Sequence, residues 1–152
     1  MHLPTYLTLL ATAERTLATS YRRVAHGHAD EADVRYTCDR FDRQCVGRAE
    51  ALVPVIRHYQ DRLEPEPDRL HPSAIPAARP GPVGLLRDLQ DLYQLANLVD
   101  ITWIMVGQAA AGARDRTLLD VVDRSGPEVA EQLAWLRTRM RAAAPQTLLV
   151  AP

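Results

Sequence analysis

Along the first segment, apolar side chains return at alternating steps of four and three: Leu3, Leu7, Leu10, Leu17, Tyr21 and Val24. Such steps keep a stripe on one face of a helix with 3.6 residues per turn. Pro4 suits a first turn and Gly27 a stop, so a helix from about Pro4 to His26 is expected. Glu14 stands in the middle of that stripe. A second helix, about Asp30 to Leu63, repeats the pattern through Val34, Cys38, Phe41, Cys45, Leu52, Ile56, Tyr59 and Leu63. Here Arg48 interrupts the seam, and Pro54 is expected to kink the helix.

Residues 64–82, EPEPDRLHPSAIPAARPGP, hold six prolines and one glycine. They read as an extended connection with Leu70 and Ile75 as possible anchors. Helical spacing resumes from about Val83 to Gly112 through Leu85, Leu89, Leu92, Ala96, Val99, Trp103, Val106 and Ala110. A fourth stripe, Leu118, Val122, Val129, Leu133, Leu136 and Met140, spans about Asp115 to Ala143. Ser125-Gly126-Pro127 is expected to divide that helix, and the tail after Pro145 carries no clear helical signal.

Connection lengths then suggest a topology. Short links near His28 and Ala113 make each helix pair an antiparallel hairpin. The middle connection, extended, reaches about 59 Å, and a 30-residue helix is about 45 Å long. It is long enough to cross the bundle and start the third helix at the same end as the second. The expected fold is all-α, an antiparallel four-helix bundle over residues 1–144 with a 64–82 crossover, followed by a tail at 145–152.

Composition agrees, with 47% hydrophobic, 24% charged and only 5% aromatic residues. A net charge of −1 gives no whole-protein attraction to nucleic acid or an anionic membrane. All 18 basic residues are arginine, spread along every segment rather than clustered, as a GC-rich coding sequence would give. Cys38 and Cys45 lie seven residues apart on one helix, about 10.5 Å along its axis and beyond disulfide reach. They read as buried, reduced thiols, which points to the cytoplasm. The N-terminal residues lack a basic region ahead of an apolar run, so no signal peptide is expected, and no apolar run is long enough for a membrane span.

The stretch AERTLATSYRRVAHGHADEADV, residues 13–34, followed by a second long helix, resembles bacterial members of the ferritin-like superfamily that lack Glu-x-x-His metal motifs. The likeness covers nearly the whole chain as architecture; among motif residues only Glu14 matches. Metal-using members carry a Glu on two helices and Glu-x-x-His on the other two. In this chain Glu14 precedes Leu17, Glu50 precedes Val53, Glu128 precedes Glu131 and Glu131 precedes Ala134. The resemblance therefore implies the fold more than an oxidase, since the imidazoles fix both metal geometry and affinity.

Antiparallel levels predict what fills the corresponding place. Glu14 is level with about residues 44–48, which include Gln44 and Arg48, and Asp100 is level with about 128–132. A mid-bundle polar layer of Glu14, Arg48, Asp100, Glu128 and Glu131 is expected, in which the arginine supplies the positive charge a metal would bring. The alternative is a carboxylate metal site of Glu14, Asp100 and Glu131, holding iron or manganese. Other polar groups read as surface features. His26 and His28 flank the end of the first helix, where cations suit its dipole, and His58 is expected to be partly exposed. The acid pairs Asp39/Asp42 and Asp88/Asp91 read as a solvated face. Tyr6, Tyr93, Trp103 and Trp135 read as core or interface.

Three functions fit these readings. One is a metal-free bundle, not an enzyme and without a cofactor, acting as a binding or assembly module. The others are a metal-dependent oxidase or peroxide-handling enzyme and a bundle holding a small apolar ligand. Apolar residues beyond the seams, Leu9, Leu86, Ile101, Ile104 and Leu119, together with the tail Leu148-Leu149-Val150, suggest a homodimer or an unidentified protein partner.

Overall fold

The stripe Leu7, Leu10, Leu17, Tyr21 and Val24 is closed to solvent, as its spacing requires. It lies on α1 (Leu3–Gly27), the first of four helices in a computed structural model that describes residues 1–62, 65 and 72–151. The others are α2 (Ala32–Tyr59), α3 (Gly81–Ala113) and α4 (Arg116–Leu149), with a single 3-10 turn, Gln60–Arg62, closing α2. Among the described residues there is no strand, and no helix is long and apolar enough to cross a membrane.

One core joins all four helices, from Leu10 and Tyr21 through Phe41 and Leu52 to Leu92, Leu118 and Leu136. Tyr21, Phe41 and Trp135 meet edge to face, with ring centroids 5.3 and 5.7 Å apart. Specific polar contacts fix how the helices meet. Between α1 and α2, Glu14 pairs with Arg48 and Arg22 with Asp42. Between α2 and α4, Tyr59 reaches Asp115, Arg48 reaches Glu128, and Asp33 receives Arg139. Between α1 and α3, His28 meets Asp88 and Glu14 meets Trp103, while Arg137 of α4 reaches Tyr93 of α3.

The helix ends follow from local chemistry. The Asp115 Oδ1 accepts from the Leu118 amide (3.0 Å), a helix N-cap, while its Oδ2 accepts from the Tyr59 hydroxyl (2.8 Å). Gly27 sits where the connection presses on α1: a Cβ there would lie 2.1 Å from that of Ala78. Ile75 anchors the same segment as expected. It is buried, its amide donates to Ser20 Oγ (3.0 Å), and its carbonyl accepts from the Arg23 guanidinium. The other proposed anchor, Leu70, lies outside the described residues, as do Leu63 and His71.

Several expectations fail here. The helix α4 is unbroken through Ser125-Gly126-Pro127 and Pro145 as far as Leu149. A helical proline removes one donor and frees the carbonyl four residues earlier. For Pro127 and Pro145 those carbonyls belong to Asp123 and Arg141, both exposed, where water serves them. The buried contacts of Val129 and Leu136 then outweigh the breaker signal. Residues 145–149 of the tail thus form the last turn of α4, with Leu148 and Leu149 exposed on it and Val150 exposed just beyond it. The inward face of α4 is also rotated from the expected stripe. As far as Leu136 it consists of Leu118, Val121, Ser125, Val129, Gln132 and Leu136, leaving Val122, Leu133 and Met140 half-buried. Two polar residues hid this face from an apolar count.

Candidate functional site: a buried arginine–carboxylate layer

Each of the four helices delivers a side chain to the middle of the bundle. Glu14 comes from α1, Arg48 from α2, Trp103 from α3, and Glu128 and Gln132 from α4. Glu14 is 0% exposed and Arg48 3%. Arg48 Nε donates to Glu14 Oε1 (2.7 Å) and its Nη2 to Oε2 (2.9 Å), the bidentate fork that suits a guanidinium to a carboxylate. Its Nη1 donates to Glu128 Oε2 (2.9 Å), so one cation lies between two acids. The Trp103 indole N–H donates to Glu14 Oε1 (2.7 Å), and both oxygens of the buried carboxylate are occupied.

A second tier continues the network outward. Arg48 Nη2 also lies 3.2 Å from Cys45 Sγ and 3.5 Å from Gln132 Oε1. The fully buried Gln132 amide donates to Gln44 Oε1 (3.0 Å). Glu131 belongs to the rim rather than the layer: Arg40 reaches it at 2.8 Å, and the Gln44 amide lies at 3.5 Å. Among the described residues no buried side-chain nitrogen or oxygen lacks a partner.

Burial disfavours the Arg48 charge, but the hydrogen bonds and charge of Glu14, with help from Glu128, overcome it and raise its pKa above the usual value. Arg48 therefore stays a cation. Burial, reinforced by the Glu14 charge, raises the Cys45 thiol well above its ordinary range against the opposing pull of Arg48. Cys38 is raised by burial, with Asp39 and Asp33 adding to it. Both cysteines are unpaired and buried, as their spacing on one helix anticipated. Tyr21 is likewise raised by burial, and the hydrogen bond from Arg40 lowers Glu131.

Glu14, Arg48 and Glu128 thus come together, whereas Asp100 does not join them. It is half-buried, and among the described residues it makes no hydrogen bond or ion pair with the layer. Trp103, one turn further along α3, occupies that place. Nor do three His, Cys, Asp or Glu side chains converge to hold a metal among the described residues, so the set Glu14, Asp100 and Glu131 is not gathered. Trp103 and Gln132 were missed as layer members. Trp103 was readable in principle, because a seam tryptophan must satisfy its N–H; Gln132 carried no such signal.

A second buried acid was read as solvated. Asp88 is 0% exposed and accepts from His28 Nε2 (2.8 Å), the Arg79 amide (2.8 Å) and Arg79 Nη1 (2.6 Å). His28, expected at the surface, is buried with it. Arg79 brings the connection back onto the bundle there, and its other nitrogen reaches Asp91 (2.9 Å). The middle of the bundle is filled by polar side chains. An apolar recess lined by Leu3, Tyr6, Met105 and Val106 holds about 210 Å³, below the roughly 300–1,000 Å³ usual for ligand pockets. No family model, curated protein or solved structure matches the chain.

Proposed function

We propose that this chain is a ferritin-like bundle in which a buried arginine takes the place of a metal, and that it works as a binding or assembly module of the cytoplasm. The observation that carries this reading is the Arg48 guanidinium between Glu14 and Glu128, at 2.7–2.9 Å from their oxygens. A permanent cation there neutralises the carboxylates and repels a divalent ion. Elemental analysis of freshly purified protein tests it. Iron, manganese and zinc well below one atom per chain are expected, and about one per chain, lost on Glu14→Ala, would reverse it.

The topology in this reading is antiparallel between neighbouring helices, with the connection crossing from the end of α2 to the start of α3. Its support is the order of the contacts. Residues 33, 48 and 59 of α2 meet 139, 128 and 115 of α4, and residues 14 and 28 of α1 meet 103 and 88 of α3. The end of α1 and the start of α3 thus share one end of the bundle.

Assembly in this reading is a two-fold homodimer. Leu9 and Leu86, counted as spare apolar surface in the sequence, are buried within the chain. Ile101 and Ile104 remain 49% and 51% exposed on α3, next to the exposed Met105. A cluster of that kind favours burial against a partner. Light scattering should return twice the 17.0 kDa chain mass. A concentration-independent monomer would remove the dimer.

A further inference from the structure

We propose that the cleft between α2 and α4, on the outer side of Arg48, binds a small organic anion through a phosphate or carboxylate group. The cleft is an open groove of about 430 Å³, lined by four arginines, Arg40, Arg43, Arg48 and Arg124, against one acid, Glu128. That volume falls within the range usual for small-molecule sites.

Charge accounting inside the cleft leaves it positive. Arg48 is taken up by Glu14, and Arg40 by Glu131. Arg43 and Arg124 have no carboxylate partner among the described residues; Arg124 Nε donates only to the Asp120 carbonyl. Two guanidinium groups, one from each helix, thus face a cleft whose single carboxylate is already shared with Arg48. Guanidinium forks match the paired oxygens of phosphates and carboxylates, and a concave, low-dielectric wall strengthens their field.

Gly47 lines the same cleft. It lies inside α2, where a glycine weakens the helix relative to alanine. Nothing approaches within 4 Å of the position its Cβ would take. A longer side chain at this position would project from the cleft wall into open space. Beside it, Ala51 and Val121 offer an apolar wall for the non-ionic part of the ligand. Glu128, with 39% of its side chain exposed, holds Arg48 Nη1 by a single bond and is placed to yield it to an incoming anion.

This site rests on the reading of Arg48 as the permanent cation of a metal-free layer, yet the two fail separately, because metal content reads the layer and anion titration reads the cleft. The test is isothermal calorimetry on the full chain at fixed ionic strength, with pyrophosphate as one titrant and citrate as the other. Saturable one-to-one binding of either is expected; pyrophosphate alone assigns a phosphate, citrate alone a carboxylate, and both a general oxyanion site. Arg43→Gln with Arg124→Gln should weaken binding on the order of tenfold or more. Gly47→Leu should abolish it while leaving the melting temperature equal or higher, and Glu128→Gln should tighten it by removing the competitor. Absence of saturable binding to both anions, or binding that survives Gly47→Leu and the double arginine variant, would overturn the proposal.

Discussion

Among the described residues the bundle buries two carboxylates, Glu14 at its middle and Asp88 at one end, and it satisfies them in different ways. Glu14 is met by Arg48 and Trp103, each nearly closed to solvent and carried on a different helix. Asp88 is met by His28, by a backbone amide and by Arg79, whose side chain is 42% exposed. Partners of Glu14 are fixed by helix packing, and its cation never titrates near neutral pH. Those of Asp88 sit where the connection returns to the bundle and tie that segment down. A buried charge is costly in proportion to how little water can replace a lost partner. The middle layer should therefore be brittle and the end cluster forgiving.

The largest expected effect comes from removing the cation at the middle. Arg48→Ala leaves Glu14 buried with only the Trp103 donor, and urea unfolding should show a loss of about 3–5 kcal/mol. Asp88→Ala strips acceptors from His28 and Arg79, but the half-exposed Arg79 can turn to water, so about 1–3 kcal/mol is expected. The same variant should speed proteolysis within residues 72–80 without loosening the core. A loss at Asp88 equal to or larger than that at Arg48 would break the comparison.

A smaller effect concerns pH. Cys38, Cys45 and Tyr21 have folded pKa values raised by burial. Groups of this kind keep their protons in the folded state while the unfolded chain releases them, from about pH 8.5 for a thiol. Their contribution is full below the unfolded value and is lost as pH rises beyond it. The melting temperature should fall above pH 9, more gently in Cys38→Ala, and native thiols should label slowly with a bulky maleimide at pH 8. Smallest in stability is Ile104→Glu, an exposed position expected to stay within about 0.5 kcal/mol of wild type while returning the monomer mass in light scattering where the proposed dimer predicts twice that mass for wild type.

The same contrast explains what the sequence could reveal. Four helices were legible because apolar residues at steps of three and four dominate each one, and Glu14 and Arg48 stood out as charges inside otherwise apolar stripes. Their pairing followed from the level of the two positions on a short hairpin. Asp88 left no such trace: it sits beside Leu89, and its partner His28 is 60 residues away, brought in by the folded-back connection. Ser125 and Gln132 concealed the inward face of α4, since a buried polar group that is fully bonded looks solvated in a pattern count. Proline also misled. The signals at 127 and 145 describe a local preference, which packing on the opposite face of α4 overrides.

The central claim is that Glu14 and Arg48 compensate one another within a closed layer, and a double-mutant cycle on unfolding free energy tests it most directly. Glu14→Gln keeps an acceptor for Trp103 but leaves the buried Arg48 charge with the partly exposed Glu128 as its one carboxylate, and Arg48→Met strands the Glu14 charge. Each should cost about 3–5 kcal/mol alone. Together they remove both charges and keep the volume, so the double variant should lie within about 1–2 kcal/mol of wild type, a coupling of several kcal/mol. If the two losses instead add, the charges are satisfied independently and the layer is not the self-contained unit described.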